Sequence, residues 1–471
     1  MDGKMRTNSR PARRFGFRFL AGVFLLVAMV LGAETPPPVT YQGRTVNDWL
    51  LRAASKADGD RQSAEAAFRA MGAMAVPDLL YAMNGARPPA AAPPMLEGLR
   101  ITAVEMLGKL GPLAASAIPQ LAAAMEDPGP MVLDVASALG SIGPPALPQL
   151  MVALRSPRSW VRVQAARVLG GDAFRPRIDE VLPALIAATG DPIPDVRKSA
   201  LRSLDALKDP RASPTLAAAL QDEDATVREL AVEALLKLGP AAASAAGAMR
   251  ESLAHPRASG PFSTDRSSIR LAAALWHATG DANTALLLEQ SLRGPDRRIA
   301  ATVLGEIGPP AALFIPALSS CLEAQIVDEV PGKPESVERA DLETIAKAMV
   351  RIGSPPVSPL VALLGDSRPG VRQRVAIALG CLGTNAAPAV PALVKALDDA
   401  NGTAQIAAVE ALGAIGPAAS LALPRLRRVV DQSTNGTDFA DLLQITAEIA
   451  MDAISSGARP AVASAPSVTA H

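Results

Sequence analysis

Residues 222–240 read DEDATVRELAVEALLKLGP, and the grammar of most of the chain is contained in them. An Asp-rich joint opens the stretch. Val227, Leu230, Ala231, Ala234, Leu235 and Leu238 then recur at helical spacing, which puts one apolar stripe on a helix. Gly239 supplies a left-handed residue that stops the helix, and Pro240 cannot continue it. A second helix is expected to open near a downstream Pro, which a first helical turn tolerates. Such a hairpin cannot bury its stripe alone, so it requires neighbours of the same kind.

The neighbours are there. Helices ending in Leu-Gly or Ile-Gly close at Gly111, Gly143, Gly239, Gly308, Gly353, Gly383 and Gly416, with a weaker version at Gly171. Their spacings are 32, 28, 68, 69, 45, 30 and 33 residues. Pro-x-Leu recurs independently at Pro77, Pro119, Pro148, Pro183, Pro214, Pro316, Pro391 and Pro424, with a variant at Pro359. Two anchors keeping one period of about 34 residues predict a solenoid. The expected fold is all-α: a right-handed α-solenoid of about eleven helical hairpins over residues 59–455, the last stretch being a cap helix near 437–455.

The matching stretches resemble HEAT repeats, including the variant seen in phycobilisome-lyase-like proteins. They are DPIPDVRKSALRSL (191–204), 222–240 and DSRPGVRQRVAIALGCLG (366–383), with weaker versions at 156–170 and 266–280. HEAT units place an Asp before the first helix and a Val-Arg in its first turn. Here the acids are Asp191, Asp222 and Asp366; the bases are Arg162, Arg197, Arg228, Arg270 and Arg372. The resemblance implies a side-chain ladder between repeats. Leu133 and Gln405 stand where an Arg is missing, so interruptions are expected there.

Composition narrows the function. Hydrophobic residues make up 49% and aromatic ones only 3% of the 471-residue chain. About one residue in five is Ala, so close helix packing is expected and base stacking is not. Net charge is zero, but the first 33 residues hold six basic side chains against one acidic, leaving −5 for the rest. That balance argues against a nucleic-acid partner. Three His and two Cys are too few for a zinc ribbon or a multi-His site. No cofactor, metal ligand or catalytic residue is expected. Cys321 and Cys381 fall in units two apart, and free, buried thiols are expected of them.

Residues 1–18 are basic, 19–31 are apolar, and Gly32-Ala33 precedes a polar, Pro-rich stretch. That layout is a secretory signal cut after Ala33, or an inner-membrane anchor formed by residues 19–31. The expected location is periplasmic or secreted. Residues 34–58 are read as a linker and N-terminal cap, in which Thr45 and Asp48 form a capping box and Trp49 covers the first repeat. Residues 456–471, rich in Ala, Ser and Pro, are read as a disordered tail.

A repeat array with no reactive constellation points to a protein-interaction scaffold whose partner is a protein or peptide. An accessory or lyase-like enzyme subunit, implied by the phycobilisome-lyase resemblance alone, is the alternative. Candidate partner contacts are two basic groups, Arg155 and Arg158, and Arg425, Arg427 and Arg428. The long joints 86–95, 256–268 and 324–336 are candidate decorations of one edge, and loop drift is their plain reading.

Overall fold

A computed structural model of the chain describes residues 39–85, 95–255, 264–327, 335–353, 355–432 and 438–457. The leader with Ala33, the central parts of the three long joints and the tail from 458 lie outside the described residues. Contacts divide the chain into two compact units, Met1–Ala153 and Leu154–His471.

The first unit opens with an antiparallel hairpin, Thr40–Tyr41 (β1) and Arg44–Thr45 (β2), with Thr40 opposite Thr45. Gln42 and Gly43 both have positive φ, which gives a two-residue turn the twist its strands need. Strands of two residues are too short to leave a periodicity in the sequence, where only the helix that follows is legible. That helix, α1 (Val46–Ala53), carries the capping box. Thr45 Oγ1 accepts from the Asp48 amide at 3.3 Å, and Asp48 accepts from the Thr45 amide at 2.9 Å. The Trp49 indole donates to the Tyr41 carbonyl at 3.1 Å. With its ring buried, the indole N–H needs such a partner.

Eleven hairpins follow among the described residues, as the period predicts. Three belong to the first unit: α2 (Asp58–Met71) with α3 (Val76–Met83), α4 (Met95–Leu110) with α5 (Ile118–Met125), and α6 (Val132–Ile142) with α7 (Leu147–Ala153). The second unit begins with α8 (Ser159–Leu169) and α9 (Ile178–Ala188), α10 (Pro194–Leu207) and α11 (Ser213–Ala219), and α12 (Ala225–Leu238) and α13 (Ala246–Ala254). It continues with α14 (Thr264–Thr279) and α15 (Ala282–Arg293), α16 (Arg297–Ile307) and α17 (Ile315–Val327), and α18 (Glu335–Ile352) and α19 (Val357–Leu363). The last pairs are α20 (Pro369–Cys381) with α21 (Val390–Ala396) and α22 (Gly402–Ile415) with α23 (Leu423–Gln432), before the terminal helix α24 (Asp438–Ser456).

Within each unit, first helices of successive hairpins lie side by side, and the apolar stripe of each is buried between them and its own second helix. The stretches Glu97–Met125, Pro309–Val327 and Gly402–Gln432 are long and apolar enough to cross a membrane by length and composition. The first and third each contain both helices of a hairpin, interrupted by a 3-10 turn that Gly111 or Gly416 opens.

The closing residues differ in detail from the sequence reading. Gly239 has φ 56° and ψ −128°, a region only glycine occupies readily, rather than a left-handed helical turn. Gly171 is no such closure: its φ is −74°, in the range of any residue. Gly72 (φ 57°) closes the first hairpin and was not singled out. α10 lacks a closing glycine because Lys208 takes the role, in a left-handed conformation (φ 54°, ψ 34°). A Cβ there costs about 1 kcal/mol. Lys208→Gly is therefore expected to raise the unfolding free energy by about 0.5–1 kcal/mol, as read from urea midpoints.

A second set of glycines lies three residues before some of the first, on the face toward the next repeat. A Cβ on Gly108 would stand 3.2 Å from Ala138 Cα, one on Gly305 2.9 Å from Ala348 Cα, and one on Gly380 3.1 Å from Ala411 Cα. Thus Gly-x-x-Gly at the end of a first helix has two separate causes. The first glycine admits the neighbouring backbone, and the second turns the chain.

Candidate interaction surface

The ladder residues come together in the loops that precede first helices. Arg162 on α8 donates through Nε and Nη2 to both oxygens of Asp191 in the next repeat, at 2.7 and 2.9 Å. Arg197 on α10 reaches Asp222 of the repeat after that at 2.7 Å. Each arginine also donates to the carbonyl six residues before it: Arg162 to Ser156, Arg197 to Asp191, Arg228 to Asp222 and Arg372 to Asp366, all at 2.8–2.9 Å. The acids work locally as well. Asp191 accepts from the amide of Ile193, and Asp222 from that of Asp224, both at 2.9 Å. One side chain therefore shapes its own turn and holds the preceding repeat.

Two assignments change. Asp366 pairs with Arg368 of its own loop, at 3.0 Å, and not with a preceding repeat. The carboxylate that meets Arg372 is Asp399, with both oxygens engaged at 2.6 Å. Asp399 escaped notice because Gln405 replaces the arginine that would have marked its loop. The Gln405 amide instead donates to the Leu397 carbonyl at 2.7 Å. Arg270 is no member of the loop series. It lies between Glu233 on α12 and Glu306 on α16, because its place on α14 faces the two flanking first helices.

Burial pushes the Asp191 carboxyl up, but hydrogen bonds from Arg162 and the Ile193 amide outweigh it and hold the group below the usual carboxylate range. The Arg372 hydrogen bonds do the same to Asp399. A depressed folded value stabilises the fold above the unfolded value of about 4, and that stability is lost as pH falls through the lower folded value. The unfolding free energy is thus expected to be flat from pH 7 to about 5 and to drop below about 4. Arg372→Met should make the drop shallower. Urea midpoints of both proteins from pH 2.5 to 7 check this; parallel curves would refute it.

Both thiols and His277 sit in packed surroundings. Cys321 is buried and Cys381 half-buried, both free; desolvation pushes the first thiol up and the second to about 11. A thiol so raised is a poor nucleophile at neutral pH. His277 wedges against Gly239, where a Cβ would stand 2.6 Å from Cε1, and its Nδ1 lies 3.3 Å from the Leu236 carbonyl.

Two grooves run along first helices of the second unit. The first, with a cavity volume of about 580 Å³, lies between α8 and α10. Trp160 and Ile193 stand at one end, 37% and 39% exposed, and Arg167 and Arg202 line it further along. Trp49 and Trp276, by contrast, are buried. The second groove, about 790 Å³, follows α12, α14 and α16 and is lined by charges of both signs, among them Glu229, Glu233, Arg266 and Arg270.

The basic candidates do not form one site. Arg155 and Arg158 are exposed beside the first groove, with the Arg158 guanidinium 5.8 Å from the Trp160 ring centre. Arg425 is ion-paired with Asp398 on the eleventh hairpin, where Arg427 and Arg428 are exposed. Trp160 is no part of the basic groups that the sequence marks. A signal was present: the residue before the buried Val of each Val-Arg pair faces outward, and it is Asp195, Thr226 or Gly370 elsewhere but Trp160 here.

Residues 147–236 and 357–438 match the family model for HEAT repeats. No curated protein matches the chain. Among solved structures, importin beta is similar at 13% identity and a TM-score of 0.43, over 87% of this chain and 67% of that one. Kap121p bound to Pho4p is similar at 14% identity and 0.42, over 87% of this chain and 50% of that one. The chain spans half or less of the Kap121p structures it resembles. Hairpins of one build run through and between the two stretches that match HEAT repeats.

Proposed function

We propose that the chain is a non-catalytic interaction scaffold of the bacterial cell envelope, exported by its N-terminal leader, which presents helical-repeat surfaces to a protein or peptide. The observation that carries this reading is the first groove. It is a furrow between two packed helices, with an exposed tryptophan at its mouth and exposed cations along it. The thiols and His277 support it from the other side, since their surroundings suit packing better than chemistry. The basic, apolar, small-residue layout of residues 1–33 supports export. The test is photo-crosslinking in cells from positions around Trp160 on the full-length chain, with fractionation and sequencing of the mature N-terminus. A discrete crosslinked protein in the envelope fraction is expected. Absence of any specific adduct, or recovery of the chain with an intact leader in the cytoplasm, would overturn the reading.

A further inference from the structure

We propose that the groove between α8 and α10 binds an extended acidic peptide segment of a partner protein, with one large apolar side chain of that segment seated against Trp160 and Ile193. This rests on the scaffold reading and names the chemistry of the ligand.

The floor of the groove is made by close approach of the two helices. A Cβ on Gly170 would stand 2.7 Å from Ser203 Cα, so only glycine permits that spacing. Ser199 and Ser203 turn their hydroxyls onto the α8 carbonyls of Val163 and Ala166, both at 2.8 Å. Their hydroxyl protons are therefore spent inside the helix pair, and with Val163 and Gly170 the floor offers carbon surface. The walls are charged. Arg167 is exposed and donates only to the neutral Gln164, at 2.9 Å. Arg202 is exposed and makes no ion pair among the described residues. Arg158 stands over the Trp160 ring at the entrance. One acid lines the groove, Asp195, at 3.5 Å from a Lys198 that pairs more closely with Asp224, so it stands against Arg167, Arg202 and Arg158. The surface is thus apolar at its base and positive at its rim, which suits a ligand with a negative backbone of side chains and an apolar anchor.

Size limits the ligand. The eleven residues of α8 span about 16 Å at 1.5 Å per residue, room for about five residues of extended chain. A nucleic acid would share the negative charge. It would also stack successive bases, and Trp160 is the one aromatic side chain lining the groove among the described residues. In the second groove Arg270 is paired with Glu233 and Glu306 and Arg298 with Asp341, so most of its positive charge is already met and it serves as an internal control.

The experiment uses the full-length chain and fluorescence anisotropy of labelled ten-residue probes at low salt. The acidic probe alternates Asp and Glu around a central Leu-Phe pair. It is compared with its Asn/Gln counterpart, a Lys counterpart and a ten-nucleotide thymidine strand. The acidic probe is expected to bind with a Kd on the order of 10 µM, and the neutral one at least about tenfold more weakly. Arg167→Glu combined with Arg202→Glu should weaken the acidic probe about tenfold or more and let the Lys probe bind, while Arg266→Glu changes neither. Trp160→Ala should cost about tenfold for the probe with Leu-Phe and little for one without it. Circular dichroism confirms that each variant is folded. Equal binding of the neutral probe, tighter binding of the nucleotide strand, no binding of the acidic probe, or indifference to the Arg167 and Arg202 exchange would each overturn the proposal. The two readings separate cleanly. A crosslinked partner retained by the charge-exchanged chain removes the acidic-peptide groove and leaves the scaffold. A wild-type chain that captures no partner removes the scaffold whatever the probes do.

Discussion

Replacing Arg197 by leucine is expected to lower the unfolding free energy by about 3 kcal/mol, the cost of breaking one side of a buried ion pair. Arg197 is 6% exposed, and one guanidinium contacts Asp222, the carbonyls of Asp191 and Pro192, and Glu223. Removing it leaves the Asp222 carboxylate largely enclosed, with the Asp224 amide as its remaining hydrogen-bond donor in that turn. The Asp191 carbonyl also loses a donor. A buried group stripped of its partner bears its full desolvation cost, so the loss exceeds that of any exposed pair in the molecule. Arg211→Leu is the comparison: its guanidinium is exposed where that of Arg197 is buried, so a much smaller loss is expected. The double replacement Arg197→Leu with Asp222→Leu should recover part of the loss. The Arg197 Nε is itself buried without a partner, so the native pair is imperfectly satisfied and an apolar contact competes well with it. Urea titrations of the three variants check the order. A single-variant loss below about 1 kcal/mol would show that the rung is ornamental.

The second large effect is expected from one methyl group. Gly170→Ala should destabilise the fold by about 2–3 kcal/mol, at the upper end for an overpacked contact. The added Cβ would meet Ser203 at 2.4 Å from Oγ, 2.5 Å from Cβ and 2.7 Å from Cα. Rotating the serine relieves the first distance only; the others require α8 and α10 to move apart, with loss of the two serine-to-carbonyl bonds between them. The same substitution at Gly98, within α4, has nothing within 4 Å of the new atom. There the helix preference of Ala should prevail, with a gain of up to about 1 kcal/mol. Opposite signs for one chemical change, measured by urea midpoints, would establish that close backbone approach sets the first value. Equal effects would refute it.

These two cases also show which parts of the molecule a single sequence discloses. The hairpin boundaries are local matters of caps, breaks and stripes, and Asp224 to Pro240 displays all three within 17 residues. The pairing of Arg372 with Asp399 is not local. It joins residues 27 apart, and the repeat motif that would have flagged Asp399 is broken by Gln405. Gly108, Gly305 and Gly380 looked like ordinary interior residues, since their need is set by the helix next door. Lys208 could not be anticipated as a turn residue because its conformation is one that lysine seldom adopts. The groove was half visible: Arg155 and Arg158 beside its mouth stand out as a basic group, whereas Arg202 falls outside any cluster and Trp160 reads as one apolar residue among many, the interior place being taken by its neighbour Val161.

The double duty of Asp191 and Asp222 bears on how the array comes apart. Melting either turn would release an arginine one repeat upstream and so loosen a second turn that had not itself been disturbed. Hairpins four to six should consequently exchange their amide protons as a single block.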